Sequence, residues 1–333
     1  MFTPGVGRSH AVQLPRFEIE HTVVNQGGVR LSTTLTSISL LGPDRVSPPE
    51  HDDSMTPFVG SEAIAYRAVT PGILRTRYIR ILPNIYVLKG TGLDLEVRAH
   101  AAWLWCGRTG VIAGRAAAGL YLPTGAVTAD AIEMIALKSK HPPGLIVRNE
   151  RIAVDEISVR QNLPVTSPAR TALDVARYLE RDEAVQILDP LTATTGITKD
   201  DIWRLADRYP GTRGIRNAVT AILEIDSGAA SPEETRVRLL LSDAGLRPTH
   251  SHIRITDGFK ERVIAMGWPD LKVGVNCDRF TANGRYAAEM AEFLQSQGWL
   301  TVHVLPGHSD RDIVGRTHAA VWSRTRRRPA APH

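Results

Sequence analysis

Residues 95–160 alternate between helix-like and strand-like segments, and this alternation most limits what the chain can fold into. Helical patterns occur at Leu95–Trp105 and Arg115–Leu122, whereas the short apolar runs Ile132–Leu137 and Leu145–Arg148 indicate strands. Residues 171–225 carry mainly helical patterns. Helices and strands mixed along one stretch are typical of an α/β architecture, α+β overall. The sequence therefore predicts a mixed α/β protein.

A run of small, turn-forming residues, Asp226-Ser-Gly-Ala-Ala-Ser-Pro232, marks the clearest predicted domain boundary. The 333 residues are enough for two or three domains. Residues 1–54 lack sustained helical periodicity and indicate an irregular extension, although Met55 is an alternative start of translation and both interpretations stay open. The predicted regions are the extension 1–54, a first module at 55–90, a central domain at 91–228, a third domain at 229–321 and a tail at 322–333.

The cysteine content and the hydropathy of the chain limit the cellular compartments in which the protein is expected. Cys106 and Cys277 are the only cysteines, and they form neither a disulfide framework nor a zinc motif. The most apolar stretch, Ala99–Cys106, is far shorter than the roughly 20 residues that a membrane helix needs. We therefore expect a cytoplasmic protein without a membrane partner.

The formal net charge of +5 is concentrated in two short segments. Residues 55–90 hold five basic side chains against the single acid Glu62, and the last twelve residues hold four arginines and no acid. The remainder of the chain is slightly acidic. Two places are thus predicted to attract a polyanion such as DNA. The basic residues are Arg67, Arg75, Arg77, Arg80 and Lys89 in the first segment and Arg324, Arg326, Arg327 and Arg328 in the tail.

The first basic segment predicts two short helices followed by a β-hairpin. Ser61 is the expected N-cap of a helix at Glu62–Val69, and Thr70-Pro71 offers the N-cap and first residue of a helix that runs to Arg80. Pro83-Asn84 then predicts the turn of a hairpin. A helix-turn-helix closed by a β-wing is the natural interpretation.

The second of these helices is the predicted recognition helix. Arginine suits DNA because its guanidinium reaches phosphates and can pair bidentately with guanine in the major groove. A solvated basic face on a small packing domain would give the same pattern, and the arginine tail is either a phosphate clamp or a solubilising end. The candidate DNA contacts on the helix are Arg75, Arg77 and Arg80, with Thr76 as a contact to a base or a phosphate. Lys89 is the candidate contact from the wing to the DNA backbone. Candidate contacts from the tail are Arg324, Arg326, Arg327 and Arg328.

Three segments resemble AbiEi-type antitoxin proteins of actinobacteria. They are Phe58-Val-Gly-Ser-Glu-Ala63, Arg80-Ile-Leu-Pro-Asn-Ile-Tyr-Val87 and, most specifically, Leu163-Pro-Val-Thr-Ser-Pro-Ala-Arg-Thr-Ala-Leu-Asp174. The resemblance implies a winged helix-turn-helix at the N-terminus and an antitoxin-like α/β domain in the middle. A complete winged helix-turn-helix has three helices, so the extension would supply the missing one or a homodimer would reinforce the module.

The last third of the chain resembles a very-short-patch-repair-like endonuclease domain, a member of the PD-(D/E)XK, restriction-endonuclease-like fold. The resemblance rests on Ser231-Pro-Glu-Glu-Thr-Arg-Val-Arg238, Met266-Gly-Trp-Pro-Asp270 and Gln297-Gly-Trp-Leu-Thr-Val-His-Val304. With the antitoxin-like part it covers about residues 57–320. We expect the fold to persist here and the nuclease chemistry to be lost.

The resemblance also implies a set of acidic Mg²⁺ ligands, which this chain has partly lost. Glu234 matches the helix glutamate and Asp278 the strand aspartate of the last motif, but Ala265 and Asn276 stand where two carboxylates are expected. Alanine cannot bind a cation, and a neutral amide oxygen is a weaker ligand than a carboxylate. Glu234 is either a vestigial ligand or a surface carboxylate paired with Arg238. We expect no cofactor and no metal site, with Mg²⁺ required only by an active nuclease.

Taken together, the resemblance implies a non-enzymatic, DNA-binding transcriptional autoregulator, the antitoxin half of a type IV toxin–antitoxin pair. Its partners would be double-stranded promoter DNA and a nucleotidyltransferase-like toxin. Two alternatives remain open at this point. One is an active Mg²⁺-dependent DNA endonuclease, and the other is a decayed product without activity.

Overall fold

The computed structural model describes residues 56–138, 141–277 and 284–326. Within these ranges the chain is a mixed α/β protein with three β-sheets, as the sequence predicts. Several predictions fall on residues that lie outside the described ranges, namely the extension 1–54, the alternative start Met55, the aspartate Asp278 and the tail arginines Arg327 and Arg328.

Residues 56–90, the N-terminal module, contain two short helices and three strands. The elements are β1 (Phe58–Val59), α1 (Gly60–Ala65), α2 (Pro71–Arg77), β2 (Tyr78–Leu82) and β3 (Ile85–Leu88). The strands form an antiparallel sheet in the order β1-β3-β2. The side chains of Ala63, Leu74, Ile85 and Val87 are buried, and Ile85 packs with Ala101 and Leu104 of the following helix.

The start of α2 agrees with the prediction. The Thr70 hydroxyl oxygen accepts a hydrogen bond from the Ile73 amide at 3.2 Å, and Pro71 occupies the first helical position. The start of α1 does not agree, because Ser61 lies inside the helix and Val59 precedes it without a side-chain cap. Ile73, predicted to face the core, is 41% exposed.

The predicted length of the second helix is wrong, because α2 ends at Arg77 and Arg80 lies on β2. The sequence Tyr78-Ile-Arg-Ile-Leu82 is rich in aromatic and β-branched residues, which favour strands. It pairs with β3 across the predicted turn at Pro83-Asn84. Cross-strand pairing therefore overrides the helical continuation.

The central domain, residues 91–228, packs six helices against a five-stranded sheet in the described ranges. The elements are α3 (Leu95–Trp105), β4 (Val111–Ile112), α4 (Gly114–Tyr121), β5 (Ile132–Ile135), β6 (Leu145–Arg148), β7 (Ile157–Arg160), β8 (Leu163–Thr166), α5 (Pro168–Tyr178), α6 (Arg181–Thr195), α7 (Lys199–Ala206) and α8 (Ile215–Glu224). The strand order is β6-β5-β4-β8-β7, with β5–β6 and β4–β8 parallel.

Helix α5 is the centre of this domain. Ser167 caps it by accepting a hydrogen bond from the Arg170 amide at 3.4 Å, as its position before Pro168 predicts. Eight consecutive residues, 170–177, are buried. Both apolar and charged side chains of α5 are therefore enclosed by neighbouring elements.

The C-terminal unit, residues 229–326, contains three helices and a four-stranded sheet in its described part. The elements are α9 (Pro232–Asp243), β9 (His250–Thr256), β10 (Glu261–Trp268), β11 (Val273–Cys277), α10 (Gly284–Ser296), β12 (Leu300–Val304) and α11 (Asp310–Thr325). Strands β9, β10 and β11 form an antiparallel meander, and β12 pairs parallel to β11. The predicted core positions Val237, Val273, Val275, Val302 and Val304 are buried.

The connection Asp226–Pro232 is a loop, but α9 remains attached to α6 by a buried ion pair. Asp189 on α6 is 0% exposed and accepts hydrogen bonds from Arg238 Nη2 at 2.9 Å and from the Thr235 hydroxyl at 2.7 Å. The other Asp189 oxygen accepts the Asp226 amide at 2.7 Å. The first helix of the C-terminal unit is thus locked to the central domain by polar contacts that exclude water.

Candidate functional site

Helix α2 presents most of its surface to solvent. Leu74 is its one buried residue, while Arg75 and Arg77 are exposed in the last turn. The Arg75 guanidinium makes no hydrogen bond or ion pair with any residue in the described part of the chain. It therefore remains available to an anionic partner.

The hydroxyl of Thr76 is directed back into its own helix. It lies 3.1 Å from the Gly72 carbonyl oxygen and 3.2 Å from that of Ile73, and it can donate its single proton to only one of them at a time. Donation to a phosphate would break that contact. Thr76 is predicted to contact a base or a phosphate. Its hydroxyl oxygen is better suited to the first of these contacts, in which it accepts a hydrogen bond from a base.

The two remaining candidates of the module lie on the hairpin. Arg80 is exposed on β2, opposite Tyr86 of β3. Lys89 Nζ donates to the main-chain carbonyls of Thr76 at 2.6 Å and Arg75 at 3.4 Å. A cation at this end of a helix satisfies free carbonyls and complements the helix dipole. Lys89 therefore holds the hairpin to the end of α2, in place of the free position on the wing that the sequence suggests.

Close contacts also fix α1 against the hairpin. A side chain at Gly60 would place its Cβ 2.5 Å from the Tyr86 ring, so only glycine permits this approach. Asn84, in the left-handed conformation at φ 64°, accepts a hydrogen bond from the Ser61 amide at 3.0 Å. Its amide nitrogen donates to the Ser61 hydroxyl at 2.8 Å. The two helices and the hairpin thus hold one another in place.

One bidentate ion pair joins the module to the central domain. Arg108 Nη1 and Nη2 donate to the two carboxylate oxygens of Glu62 at 2.8 and 2.6 Å. The Arg108 contact lowers the pKa of Glu62 from its ordinary value. The one acidic side chain of the N-terminal module is therefore paired with an arginine of the central domain.

The largest set of buried charges lies in the central domain. Arg170 on α5 is 1% exposed and contacts three carboxylates. Its Nη1 lies 2.6 Å from Glu156, its Nη2 2.9 Å from Glu150 and its Nε 3.0 Å from Asp174. Nη1 also donates to the Arg151 carbonyl at 3.1 Å. The whole guanidinium fork is used inside the protein.

A second arginine extends the same cluster. Arg177 Nη1 lies 3.0 Å from Glu150 and 3.3 Å from Asp174, and its Nε donates to the Arg213 carbonyl at 3.0 Å. Two hydroxyls complete the cluster. Tyr178 donates to Glu150, and Tyr209 donates to Glu156 at 2.6 Å.

The pKa values of the cluster follow from burial and from an excess of carboxylates. Three carboxylates share two guanidinium groups, and burial raises the pKa of Asp174 to about 6 although Arg170 acts in the opposite direction. Burial also disfavours ionised Glu150, but hydrogen bonds from Tyr178 and Arg177 lower its pKa. Burial and donation to carboxylates raise the pKa of Tyr178 and of Tyr209 to about 12. Both tyrosines thus remain hydrogen-bond donors, and the cluster acts as a structural lock.

Sequence reasoning missed this cluster although it found the motif that carries it. Arg170 and Asp174 both belong to the Ser-Pro-Ala-Arg-Thr-Ala-Leu-Asp segment and are one helical turn apart. Opposite charges at this spacing on an otherwise apolar helix were the available signal. Glu150 and Glu156, from the preceding loop region, could not be assigned to the cluster from the sequence.

In the C-terminal unit, Glu234 serves the start of α9. Its carboxylate accepts a hydrogen bond from the Ala230 amide at 2.8 Å, and its own amide donates to the Ser231 hydroxyl at 3.1 Å. The predicted partner Arg238 contacts Asp189 instead. The expected Glu234–Arg238 pair is wrong, because α9 turns Arg238 towards α6 and leaves Glu234 at the helix terminus.

The two positions that lack carboxylates are joined by a hydrogen bond. The Ala265 amide on β10 donates to Asn276 Oδ1 on β11 at 2.9 Å, and Asn276 is 5% exposed. Its Nδ2 is buried without a partner. Within the described ranges no three acidic, histidine or cysteine side chains gather at metal-binding spacing. The Glu234 and Asn276 side chains thus each accept a hydrogen bond from a main-chain amide.

The described part of the arginine tail forms the end of α11. Arg324 Nη2 donates to the Gly298 carbonyl at 2.9 Å, whereas the guanidinium of Arg326 lies 4.7 Å from the ring centre of Trp322. Trp322 is 52% exposed. One of the two described tail arginines therefore supports the fold, and the other is a surface cation held against an aromatic ring.

The comparisons with known proteins identify the class of the central domain. Residues 108–224 match the family described as the AbiEi antitoxin C-terminal domain. This range contains the buried ionic cluster on α5 and all five strands of the central sheet. An antitoxin-type domain is therefore present in the middle of the chain.

Two relatives from strains of Mycobacterium tuberculosis, named uncharacterized proteins MT2308 and Rv2248, share 27% identity with this chain over 151 residues. The aligned part covers 42% of this chain and 54% of each relative, so the chain spans about half the length of these proteins. No solved structure matches the chain significantly. No helix in the described ranges has both the length and the apolarity to cross a membrane.

Proposed function

We propose that the protein is a DNA-binding autoregulator of the antitoxin type, which recognises its own promoter through the N-terminal module and opposes a nucleotidyltransferase-like toxin. The observation that carries the proposal is the antitoxin-domain match at residues 108–224, which is preceded, before α3, by two helices and a hairpin with exposed arginines. The protein is expected to act in the cytoplasm and to need no cofactor.

The order of elements in the N-terminal module supports a winged helix-turn-helix. Helices α1 and α2 are followed by the β2–β3 hairpin, and β1 closes the sheet. In this arrangement α2 is the recognition helix and the hairpin is the wing. Arg75 and Arg77 contact DNA from the helix, Arg80 contacts it from the wing, and Thr76 accepts from a base. Lys89 supports the end of α2 by donating to its main-chain carbonyls.

The C-terminal unit supports a DNA-holding role without cleavage. Its order of one helix, an antiparallel three-stranded meander, a second helix and a parallel fourth strand fits a restriction-endonuclease-like fold. The carboxylate positions are replaced by Ala265 and Asn276, and Glu234 holds the main chain. Such a unit supplies surface, with Arg326 and the following tail arginines as nonspecific phosphate contacts.

The test is binding of the full chain to a fluorescent duplex that covers the region upstream of its own gene. We expect binding to weaken with salt and the Arg75→Ala/Arg77→Ala/Arg80→Ala protein to lose most of its affinity. The slope of log K against log[salt] should fall in magnitude by about 0.9 for each phosphate contact removed. Equal binding by wild type and the triple variant would contradict the proposal.

A charge-matched control separates recognition from net charge. Arg204, Arg213 and Arg216 are exposed on the central domain, outside the module. Their triple alanine variant removes the same three charges and should bind the duplex nearly as well as wild type. If both triple variants lose affinity equally, the protein binds DNA through general charge and α2 is not a recognition helix.

A further inference from the structure

The turn between α1 and α2 contains an arginine in a conformation that favours glycine. Arg67 has φ 56°, in the left-handed region, where a side chain costs energy that glycine does not pay. The main chain is fixed there by hydrogen bonds from the Arg67 amide to the Ile64 carbonyl at 3.0 Å and from the Ala68 amide to the Ala63 carbonyl at 2.9 Å. The turn geometry thus requires this conformation, whatever the residue.

Three other residues in the left-handed region show which contacts offset the energetic cost of this conformation elsewhere in the molecule. Arg108 at φ 63° forms the bidentate pair with Glu62, and Asn84 at φ 64° bonds twice to Ser61. Lys272 at φ 50° donates to the Gln297 carbonyl at 3.0 Å. In these three cases the side chain makes a specific internal contact, whereas the exposed side chains of Gln161, Asn162 and His252, which are also left-handed, make none among the described residues.

Arg67 makes no such contact. Its side chain is exposed, and no hydrogen bond or ion pair joins its guanidinium to any residue that the structure describes. The neighbouring acid, Glu62, is already taken by Arg108. Nothing inside the described protein therefore accounts for an arginine at a position where glycine would be more stable.

We infer that Arg67 is a further DNA contact, which holds a backbone phosphate beside the helix α2 and fixes how that helix enters the groove. The inference rests on the proposed function. Together with Arg75 and Arg80 it gives the module three exposed guanidinium groups without partners among the described residues, on the turn, the helix and the wing. A phosphate contact positions the protein on the duplex without reading sequence.

Arg67→Gly tests the inference because stability and affinity should change in opposite directions. Loss of the strain should raise Tm by about 1–3 °C. Loss of the phosphate contact should weaken binding to the upstream duplex on the order of tenfold and reduce the salt slope by about 0.9. The same reduction in slope is expected on a mixed-sequence duplex, because phosphate contacts are independent of sequence.

Two control variants make the result specific. Arg67→Lys keeps the charge and the strain, so it should retain most of the affinity without the rise in Tm. Gln161→Gly relieves a left-handed residue at φ 48° in the β7–β8 turn, and it should raise Tm without changing DNA binding. The inference about Arg67 alone would be overturned if the Arg67→Gly protein bound DNA with the affinity and salt slope of wild type while the Arg75/Arg77/Arg80 variant lost binding. Equal binding by wild type and that triple variant would overturn the proposed function itself.

Discussion

The central domain and the N-terminal module use arginine in opposite surroundings. Arg170 and Arg177 are 1% and 4% exposed, and each lies within ion-pair distance of two or three carboxylates. The guanidinium groups of Arg75 and Arg80 are exposed and have no partner in the described part of the chain. A guanidinium enclosed by carboxylates has no donor left for an external anion, whereas an exposed unpaired one has all five.

This difference explains why the charge distribution, and not the number of arginines, indicates the proposed DNA-binding region. The central domain is rich in arginine, but its carboxylates are matched to those arginines across α5 and the preceding loop. In the module the only acid, Glu62, is bound by Arg108. The paired arginines of the central domain stabilise the fold, whereas the basic side chains of the module form a positive surface that Glu62 does not compensate.

Replacement of Arg170 by alanine has the largest expected effect. It would leave Asp174, Glu156 and Glu150 close together without their main cation, and breaking such a buried pair typically costs about 3–5 kcal/mol. Urea unfolding of the full chain, followed by circular dichroism, measures the change in unfolding free energy. Arg75→Ala is the matched exposed control and should stay within about 0.5 kcal/mol of wild type.

Arg170→Lys covers the case in which the alanine variant fails to fold. Lysine keeps the charge but cannot reproduce the fork that reaches three carboxylates, so an intermediate loss of about 1–3 kcal/mol is expected. If Arg170→Ala is as stable as Arg75→Ala, the distinction between the two regions does not hold.

The junction between α6 and α9 gives a second, smaller contrast. The Asp189–Arg238 pair is 0% and 6% exposed at its side chains, whereas the Asp201–Arg204 pair on α7 is 36% and 74% exposed. Double-mutant cycles with alanine should give a coupling energy of about 1.5–3 kcal/mol for the buried pair. The exposed pair should give about 0.3–0.5 kcal/mol, since water screens it. Similar coupling energies in both cycles would mean that burial does not strengthen the junction.

The features that the sequence predicted correctly are local ones. The caps Thr70 and Ser167 act within three residues of themselves, so their roles follow from the order of residues alone. Exposure of Arg75 follows from helical spacing around Leu74. The length of the second helix failed for the opposite reason, because pairing of Tyr78–Leu82 with β3 is a contact between segments.

The candidate site shows the same difference between local features, which the sequence predicts, and contacts between distant segments, which it does not. The exposed arginines of α2 were predictable, but the contact of Lys89 with the end of that helix was not, since it depends on how the hairpin folds back. The cluster around Arg170 requires Glu150 and Glu156 to approach α5 from another region of the chain. Sequence spacing shows that a motif is unusual, and only the assembled fold shows whether its charges point inwards.

The smallest predicted effect concerns pH and tests the buried cluster through Asp174. Its pKa is about 6 in the folded protein against an ordinary value of 3.8, so between these values the folded state binds more protons than the unfolded chain. Raising the pH through this window therefore favours unfolding. The Asp174→Asn protein lacks this group and should lack this part of the pH dependence.

The measurement is the unfolding free energy of wild type minus that of Asp174→Asn, taken by urea titration at several values from pH 4 to 7. We expect this difference to fall by about 2 kcal/mol as the pH rises, on the scale of 1.36 kcal/mol for each unit by which the folded-state pKa exceeds 3.8. The pKa of Glu150 is lowered, so its contribution is lost only at lower pH and has the opposite sign. A difference that stays constant or grows with pH would mean that Arg170 keeps Asp174 ionised in spite of its burial.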